Sequence, residues 1–176
     1  MKSVARFIKS VEKNPAVQSA VHVFRNGRTG QIIYSRRGVI TQELIKEQFP
    51  RPNWQNELPD IRKDLWRPLA ILKLGDKATA DEAIKALKEL KLERSLAKNG
   101  DEISEWRKKA YDGNIWHYRH YRPVYVHESV ADLATVTDAC VETSADGEEP
   151  PEIFWTDQWS RGAAELWNPN VKHTTV

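Results

Sequence analysis

The sequence predicts an α+β protein. We expect a small sheet built on an N-terminal β-hairpin plus a third strand, packed by three or four helices, with extended N- and C-terminal arms. Two extended runs separated by a turn signal predict the hairpin, and windows with apolar residues three or four apart predict the helices. The chain has 176 residues and is 40% hydrophobic, which is enough for one core and about one domain.

Charge is sorted along the chain, although the formal net charge is only +2. Residues 1–75 carry 14 Lys and Arg against 6 Asp and Glu, whereas residues 128–176 carry 2 against 10. A basic first part favours an anionic partner, most simply a nucleic acid. Seven Trp residues strengthen this interpretation, since several lie beside basic residues and an indole can stack on a base.

Three parts follow from these shifts in composition. Residues 1–15 are predicted to form a basic N-terminal helix or arm, which fits a mitochondrial targeting segment and an ordinary surface helix equally well. Residues 16–143 are predicted to form the α+β, RNA-binding body. Residues 144–176 begin with an acidic Gly/Pro linker and continue as a Trp-rich C-terminal arm.

The hairpin is predicted from AVHVFR at 20–25, the Asn26-Gly27 turn signal and GQIIYS at 30–35. Arginines occur at its turn and at its far end, where guanidinium groups could grip phosphates in bidentate fashion or simply form a solvated charged turn. These candidates are Arg25, Arg28, Arg36 and Arg37.

Thr41 is predicted to cap a short helix, which a loop with four prolines follows at 50–68. Basic and aromatic residues alternate on this stiffened loop, a pattern that suits an irregular RNA surface, although Trp54 and Trp66 could equally be core residues. The RNA-binding candidates here are Arg51, Trp54, Arg62, Lys63 and Arg67.

A third strand is predicted at 69–74, and a helix capped by Thr79 and Glu82 should follow, with lysines 85, 88 and 91 on its solvated face. A further helix is predicted at 101–111. Another is predicted at 128–143, with Cys140 packed in the core.

The segment IWHYRHYRPVYVHE at 115–128 is a second candidate binding surface. Its dense aromatic and guanidinium groups are what unpaired bases stack on, which points to Arg119, Tyr121 and Arg122. We expect no metal site, since the histidines at 117, 120 and 127 match no ligand spacing, and no cofactor.

Three tryptophans follow the acidic linker, namely Trp155, Trp159 and Trp167. We expect this segment to pack back on the body or on a neighbouring protein, and we assign the three indoles to a protein interface. Their acidic surroundings argue against phosphate contact.

Catalytic motifs are missing: the sequence has no P-loop, no GxSxG and no HExxH, so we expect no enzyme. The hairpin faintly resembles the opening of GIY-YIG nucleases, but the tyrosine and glycine of that family are not reproduced. No apolar run approaches the ~20 residues that a membrane span needs. The single cysteine fits a reducing compartment.

An ordered set of blocks carries a more specific resemblance: VHVFRN, GQIIYS, RPNW, IRKDLW, YRPVY, VADL, FWTDQW and LWN. Together they resemble the fungal family called transcriptional regulation of mitochondrial recombination, the mitochondrial homologous recombination protein. The resemblance covers roughly residues 20–75 and 113–168, whereas residues 76–110 match only in helical character. It implies a protein of the mitochondrial matrix in the large subunit of the ribosome.

The resemblance implies binding to large-subunit rRNA and to neighbouring ribosomal proteins, with mitochondrial DNA as a further partner. It adds Asn26 and Asn53 to the candidate contacts and coincides largely with the residues chosen on charge and stacking. We therefore expect a non-enzymatic, structural rRNA-binding protein. The alternatives are a DNA-binding recombination or transcription factor and an inactive nuclease relative.

Overall fold

The computed structural model describes residues 19–50, 58–96, 125–144 and 149–176. Five strands form one mixed sheet: β1 (Ala20–Asn26), β2 (Ile32–Ser35), β3 (Trp66–Lys73), β4 (Glu152–Trp155) and β5 (Lys172–Thr175). Within the described ranges, three α-helices accompany it: α1 (Gln42–Gln48), α2 (Lys77–Leu96) and α3 (Tyr125–Thr143). Two one-turn 3₁₀ helices lie between the last strands, at Gln158–Arg161 and Ala164–Leu166. The predicted α+β class is confirmed.

The strands are ordered β2-β1-β3-β4-β5 across the sheet. The hairpin β1–β2 is antiparallel, and β3 pairs antiparallel with β1 on one side and with β4 on the other. The last pair, β4–β5, is parallel. The hairpin and the third strand were predicted, but the sheet has two more strands than expected, and both come from the C-terminal segment.

The C-terminal segment packs back on the body, which was one of the two expectations for it. Ile153 and Trp155 of β4 lie opposite Leu72 and Ala70 of β3, and both are buried. Trp167 is also buried, with its ring edge-on to that of Trp155 at 5.8 Å. The assignment of Trp155 and Trp167 to an interface with another protein is therefore wrong, because both indoles fill this protein's own core.

Strand alternation gives the sheet two apolar faces. Helices α2 and α3 cover the face that carries Val21 and Val23, where Cys140 is buried as predicted. Helix α1 covers the opposite face, which carries a smaller cluster: Phe24, Ile33, Ile45, Phe49 and Trp66. The sheet is therefore buried on both sides along its β1–β3 part.

The helix starts follow local capping chemistry. Thr41 caps α1 as predicted, because its side chain accepts a hydrogen bond from the N–H of Leu44 at 3.3 Å. Helix α2 begins earlier than predicted: the carboxylate of Asp76 accepts from the backbone N–H of Thr79 (2.8 Å) and from its hydroxyl (2.7 Å). The predicted Thr79 cap is wrong, since Asp76 already supplies the capping oxygen. These hydrogen bonds lower the pKa of Asp76.

A buried ion pair joins α2 to α3. Both oxygens of Asp132 accept hydrogen bonds from the Arg94 guanidinium, one of them at 2.9 Å, and the Asp132 side chain is only 4% exposed. Glu128 lies 3.9 Å from the same guanidinium. Removing either partner of such a pair leaves an uncompensated charge, which typically costs about 3–5 kcal/mol. Residue spacing within each helix gave no sign of this pairing.

The outer edge of β2 is capped by side chains. Gln48 donates to the carbonyl of Tyr34 at 2.6 Å and accepts from its N–H at 3.0 Å, while the amino group of Lys91 donates to the carbonyl of Ile32 at 2.7 Å. The Lys91 amino group also lies 3.9 Å from the centre of the Phe49 ring. Burial lowers the pKa of Lys91 to about 7, so its predicted place on a solvated face is wrong.

His173 lies on β5, at the opposite edge of the sheet from β2, and makes the stability of the fold sensitive to acid. Nδ1 of His173 accepts a hydrogen bond from the indole N–H of Trp155 at 3.0 Å, so this nitrogen carries no proton in the folded chain. Burial lowers the pKa of His173 to about 4. Because the unfolded chain binds this proton near pH 6.5 and the folded chain does not, stability should fall as pH drops from about 6.5 to about 4.

Urea unfolding at pH 6.5 and pH 4.5 measures this loss. We expect His173→Gln, which has no proton to gain, to lose less stability over that interval than the natural chain. Equal losses would show that His173 has the same pKa in the folded and the unfolded chain. His22→Gln provides a second comparison, since burial also lowers the pKa of His22 to about 4.

Candidate nucleic-acid interface

The turn between β1 and β2 presents Arg28 to solvent. Asn26 is buried, and its Oδ1 accepts hydrogen bonds from the backbone N–H of Arg28 at 2.9 Å and of Thr29 at 3.0 Å. Gly30 completes the turn with a φ of 77°, which glycine adopts without strain. The structure corrects the expectation that Asn26 contacts RNA, because its oxygen is used to build the turn.

Arg25 and Arg67 lie directly opposite each other on β1 and β3. Both are exposed, and neither forms an ion pair with any carboxylate in the described part of the chain. Like charges directly opposite each other on a sheet destabilise it. An unrelieved arginine pair at this position is therefore a strong local attraction for an anion.

The residues before β3 lie against the hairpin turn. The N–H of Gly27 donates to the carbonyl of Leu65 at 2.7 Å, which brings Arg62 and Lys63 to the same end of the sheet as Arg28. Arg62 is exposed and pairs with Asp64 at 2.7 Å; this hydrogen bond raises the pKa of Arg62 and lowers that of Asp64. Lys63 is exposed.

Five of the predicted cations thus share one end of the sheet, which we call the turn-end surface: Arg25, Arg28, Arg62, Lys63 and Arg67. Trp66 supports this surface from inside, since it is buried and its indole N–H donates to the carbonyl of Asp60 at 2.9 Å. The structure confirms the alternative prediction that Trp66 is a core residue.

Arg36 and Arg37 lie away from the turn-end surface, because they follow the other end of β2. The Arg36 guanidinium bonds to the Asp81 carboxylate at 2.8 Å and to the carbonyl of Ala20, so it connects β1 to the start of α2. Arg37 is exposed. The two ends of the hairpin therefore differ: one carries Arg25 and Arg28, which form no ion pair among the described residues, and at the other Arg36 has a structural role.

Six predicted contacts lie outside the described residues: Arg51, Asn53, Trp54, Arg119, Tyr121 and Arg122. Helix α3 nevertheless begins close to the turn-end surface, because a side chain at position 30 would lie 3.8 Å from the ring of Tyr125.

The described ranges contain no group of three or more His, Cys, Asp or Glu side chains that could hold a metal ion. Within the same ranges, no helix has the length and apolar character to cross a membrane. Of the three tryptophans assigned to a protein interface, Trp159 is 82% exposed.

The fold and the site define a class: an α+β protein that presents exposed arginines from one end of a mixed sheet. Residues 18–101 match the family model described as transcriptional regulation of mitochondrial recombination. Three proteins called large ribosomal subunit protein mL67 are similar to the chain. The one from Yarrowia lipolytica is 38% identical over 176 residues, covering all of this chain and 82% of that protein.

The relative from Candida albicans is 38% identical over 151 residues, covering 86% of this chain and 60% of that protein. The relative from Kluyveromyces lactis is 32% identical over 160 residues, covering 89% of this chain and 71% of that protein. The chain belongs to this mitochondrial recombination and mL67 family, which confirms the resemblance seen in the sequence. Because members of this family are mitochondrial proteins, the chain is located in the mitochondrion, as expected.

Proposed function

We propose that this protein is a structural, non-enzymatic component of the large subunit of the mitochondrial ribosome and that it binds rRNA through the turn-end surface. The observation that carries the proposal is the exposed pair Arg25 and Arg67, which lie opposite each other without a carboxylate between them among the described residues. The names of the relatives support the ribosomal role.

Phosphate is the anion that fits this surface. A guanidinium group offers two parallel N–H donors to phosphate oxygens, so one phosphate between Arg25 and Arg67 would replace their mutual repulsion by attraction to a shared anion. Arg28 on the turn and Lys63 before β3 extend the positive surface on either side. Contacts of this type position a protein on folded RNA and provide most of its affinity.

RNA is favoured over DNA because the relatives are named as ribosomal proteins. The proposal includes a second surface that stacks on unpaired bases. Its residues are the remaining candidate contacts, Arg51, Asn53, Trp54, Arg119, Tyr121 and Arg122. Neighbouring ribosomal proteins are the second class of partner.

Sedimentation of the tagged protein from a mitochondrial lysate tests the ribosomal role. We expect the protein in the large-subunit peak at moderate salt. Recovery only in the DNA-containing fraction, with none in that peak, would overturn the proposal in favour of a recombination or transcription factor.

The loop before β3 gives a separate test of RNA contact. Replacing both Arg62 and Lys63 by Ala should weaken binding to in vitro transcribed large-subunit rRNA and flatten the salt dependence by roughly one to two units of slope. The lower value is expected if Arg62 stays paired with Asp64 in the complex. Filter binding between 50 and 200 mM salt measures the slope.

The matched control removes two exposed lysines from other elements, Lys46 of α1 and Lys85 of α2. It changes the net charge equally but leaves the turn-end surface intact. If both double variants lowered the slope by the same amount, binding would depend on net charge rather than on this surface.

A further inference from the structure

The two edge strands of the sheet differ in how their outward backbone groups are hydrogen-bonded. The outer edge of β2 is closed by Gln48 and Lys91, whose side chains take up the backbone groups of Tyr34 and Ile32. Such capping prevents another chain from adding a strand. The opposite edge is β5, for which the described residues provide no comparable cap.

The backbone groups at the β5 edge can be identified from its pairing with β4. The N–H of Lys172 bonds to the carbonyl of Pro151 at 2.9 Å, and that of Val176 bonds to the carbonyl of Trp155 at 2.9 Å. Because backbone groups alternate along a strand, those of His173 and Thr175 point away from β4. Neither residue makes a backbone hydrogen bond on that side within the described ranges.

An exposed indole lies on the 3₁₀ helix Gln158–Arg161, which contacts the same buried residue, Trp167, as β5 does. The 3₁₀ helix Gln158–Arg161 is joined to β5 through Trp167, whose indole N–H donates to the carbonyl of Arg161 at 3.0 Å and whose ring lies edge-on to His173 at 4.7 Å. Trp159 belongs to the same helix and is 82% exposed. Asp157 holds the start of this helix by accepting from the N–H of Trp159 at 2.9 Å.

Charge decides what can occupy this edge. Residues 128–176 carry ten carboxylates against two cations, and a segment of this charge disfavours a polyanion such as RNA. On the elements around the edge, the acids Glu152, Asp157 and Glu165 outnumber the cations Arg161 and Lys172. A second copy of this chain would bring the same acidic segment against itself. A cationic polypeptide is attracted, and a Lys or Arg side chain can also lie over the face of an exposed indole.

We propose that the outer edge of β5 accepts an extended, Lys- or Arg-bearing segment of another protein as a sixth strand, with Trp159 contacting one of its cations. The backbone groups of His173 and Thr175 supply the strand pairing. The proposal does not depend on RNA binding by the turn-end surface, which is formed by other residues.

The test uses the full-length protein and two synthetic peptides. The basic peptide is RVRVTVRV, and the control replaces each Arg by Glu. With the basic peptide, we expect amide hydrogen exchange measured by NMR to slow at least tenfold at His173 and Thr175, with no change at Thr174, whose N–H points towards β4. The acidic peptide should have no effect. Slow exchange of His173 and Thr175 in the free protein would overturn the proposal, since the chain would then cover its own edge.

Variants distinguish strand addition from general charge attraction. Thr175→Pro removes an outward N–H at a position where an edge strand tolerates proline, and we expect at least tenfold weaker peptide binding with unfolding unchanged. Trp159→Ala and Glu165→Lys should also weaken binding, whereas Glu93→Lys on α2 should not. If Thr175→Pro and the natural chain bound the peptide with equal affinity, the peptide would not be adding as a sixth strand. If an oligouridylate quenched Trp159 fluorescence and the peptide did not, the partner would not be a cationic polypeptide.

Discussion

Replacing Trp155 by Ala is expected to lower the free energy of unfolding by about 3–5 kcal/mol. Trp155 is 1% exposed and lies in β4 between β3 and β5. Its ring contacts those of Trp167 and His173, and its indole N–H donates to His173 at 3.0 Å. The substitution leaves a large cavity and removes the donor to a buried nitrogen. Urea unfolding followed by circular dichroism measures the change.

Trp159→Ala is the matched control, since it removes the same side chain from a surface position four residues away. We expect this change to lie within about 0.5 kcal/mol of the natural chain, because the Trp159 ring has lost little contact with water. A similar loss for both variants would mean that β4 does not hold Trp155 in the core.

Removing Arg25 and Arg67 together should weaken rRNA binding and stabilise the free protein. Each arginine that contacts a phosphate contributes about one unit of salt slope and roughly tenfold in affinity, so the double Ala variant should lose about two units and about a hundredfold. The free protein should unfold at a slightly higher urea concentration, because the repulsion between the two opposed guanidinium groups is gone.

Arg37→Ala gives the comparison, since this exposed arginine lies at the other end of the hairpin. Its effect on the rRNA salt slope should be small. The two measurements together separate the explanations: a double variant that binds less RNA because it is misfolded would lose stability, whereas the turn-end surface predicts a gain. Unchanged RNA affinity with raised stability would show that the arginine pair faces solvent in the ribosome.

Much of the fold follows from local sequence. The hairpin, β3 and the three helices come from periodicity and turn residues, which act over a few positions. Strands β4 and β5 were missed because no tight turn joins either of them to its partner: β4 pairs with the distant β3, and β5 pairs in parallel with β4. Trp155 is a core residue because β4 pairs with β3, which lies about 80 positions earlier.

The site was predicted in composition but not in detail. Arg25 and Arg36 are equivalent as sequence, and only the fold shows that Arg36 is engaged by Asp81 while Arg25 faces Arg67. In the same way, the side chain of Asn26 is used within the turn. The sequence identified a basic region, but tertiary contacts decide which of its members stay available.

The central position of β3 has a consequence for the order of folding during synthesis. One side of β3 pairs with β1, which is synthesised earlier, but the other side can pair only after β4 at residues 152–155 has been made. Until the ribosome has produced that distant segment, Ala70 and Leu72 lie on an unpaired apolar edge. The nascent chain therefore has a long interval in which a chaperone or a prompt assembly partner would protect it from aggregation.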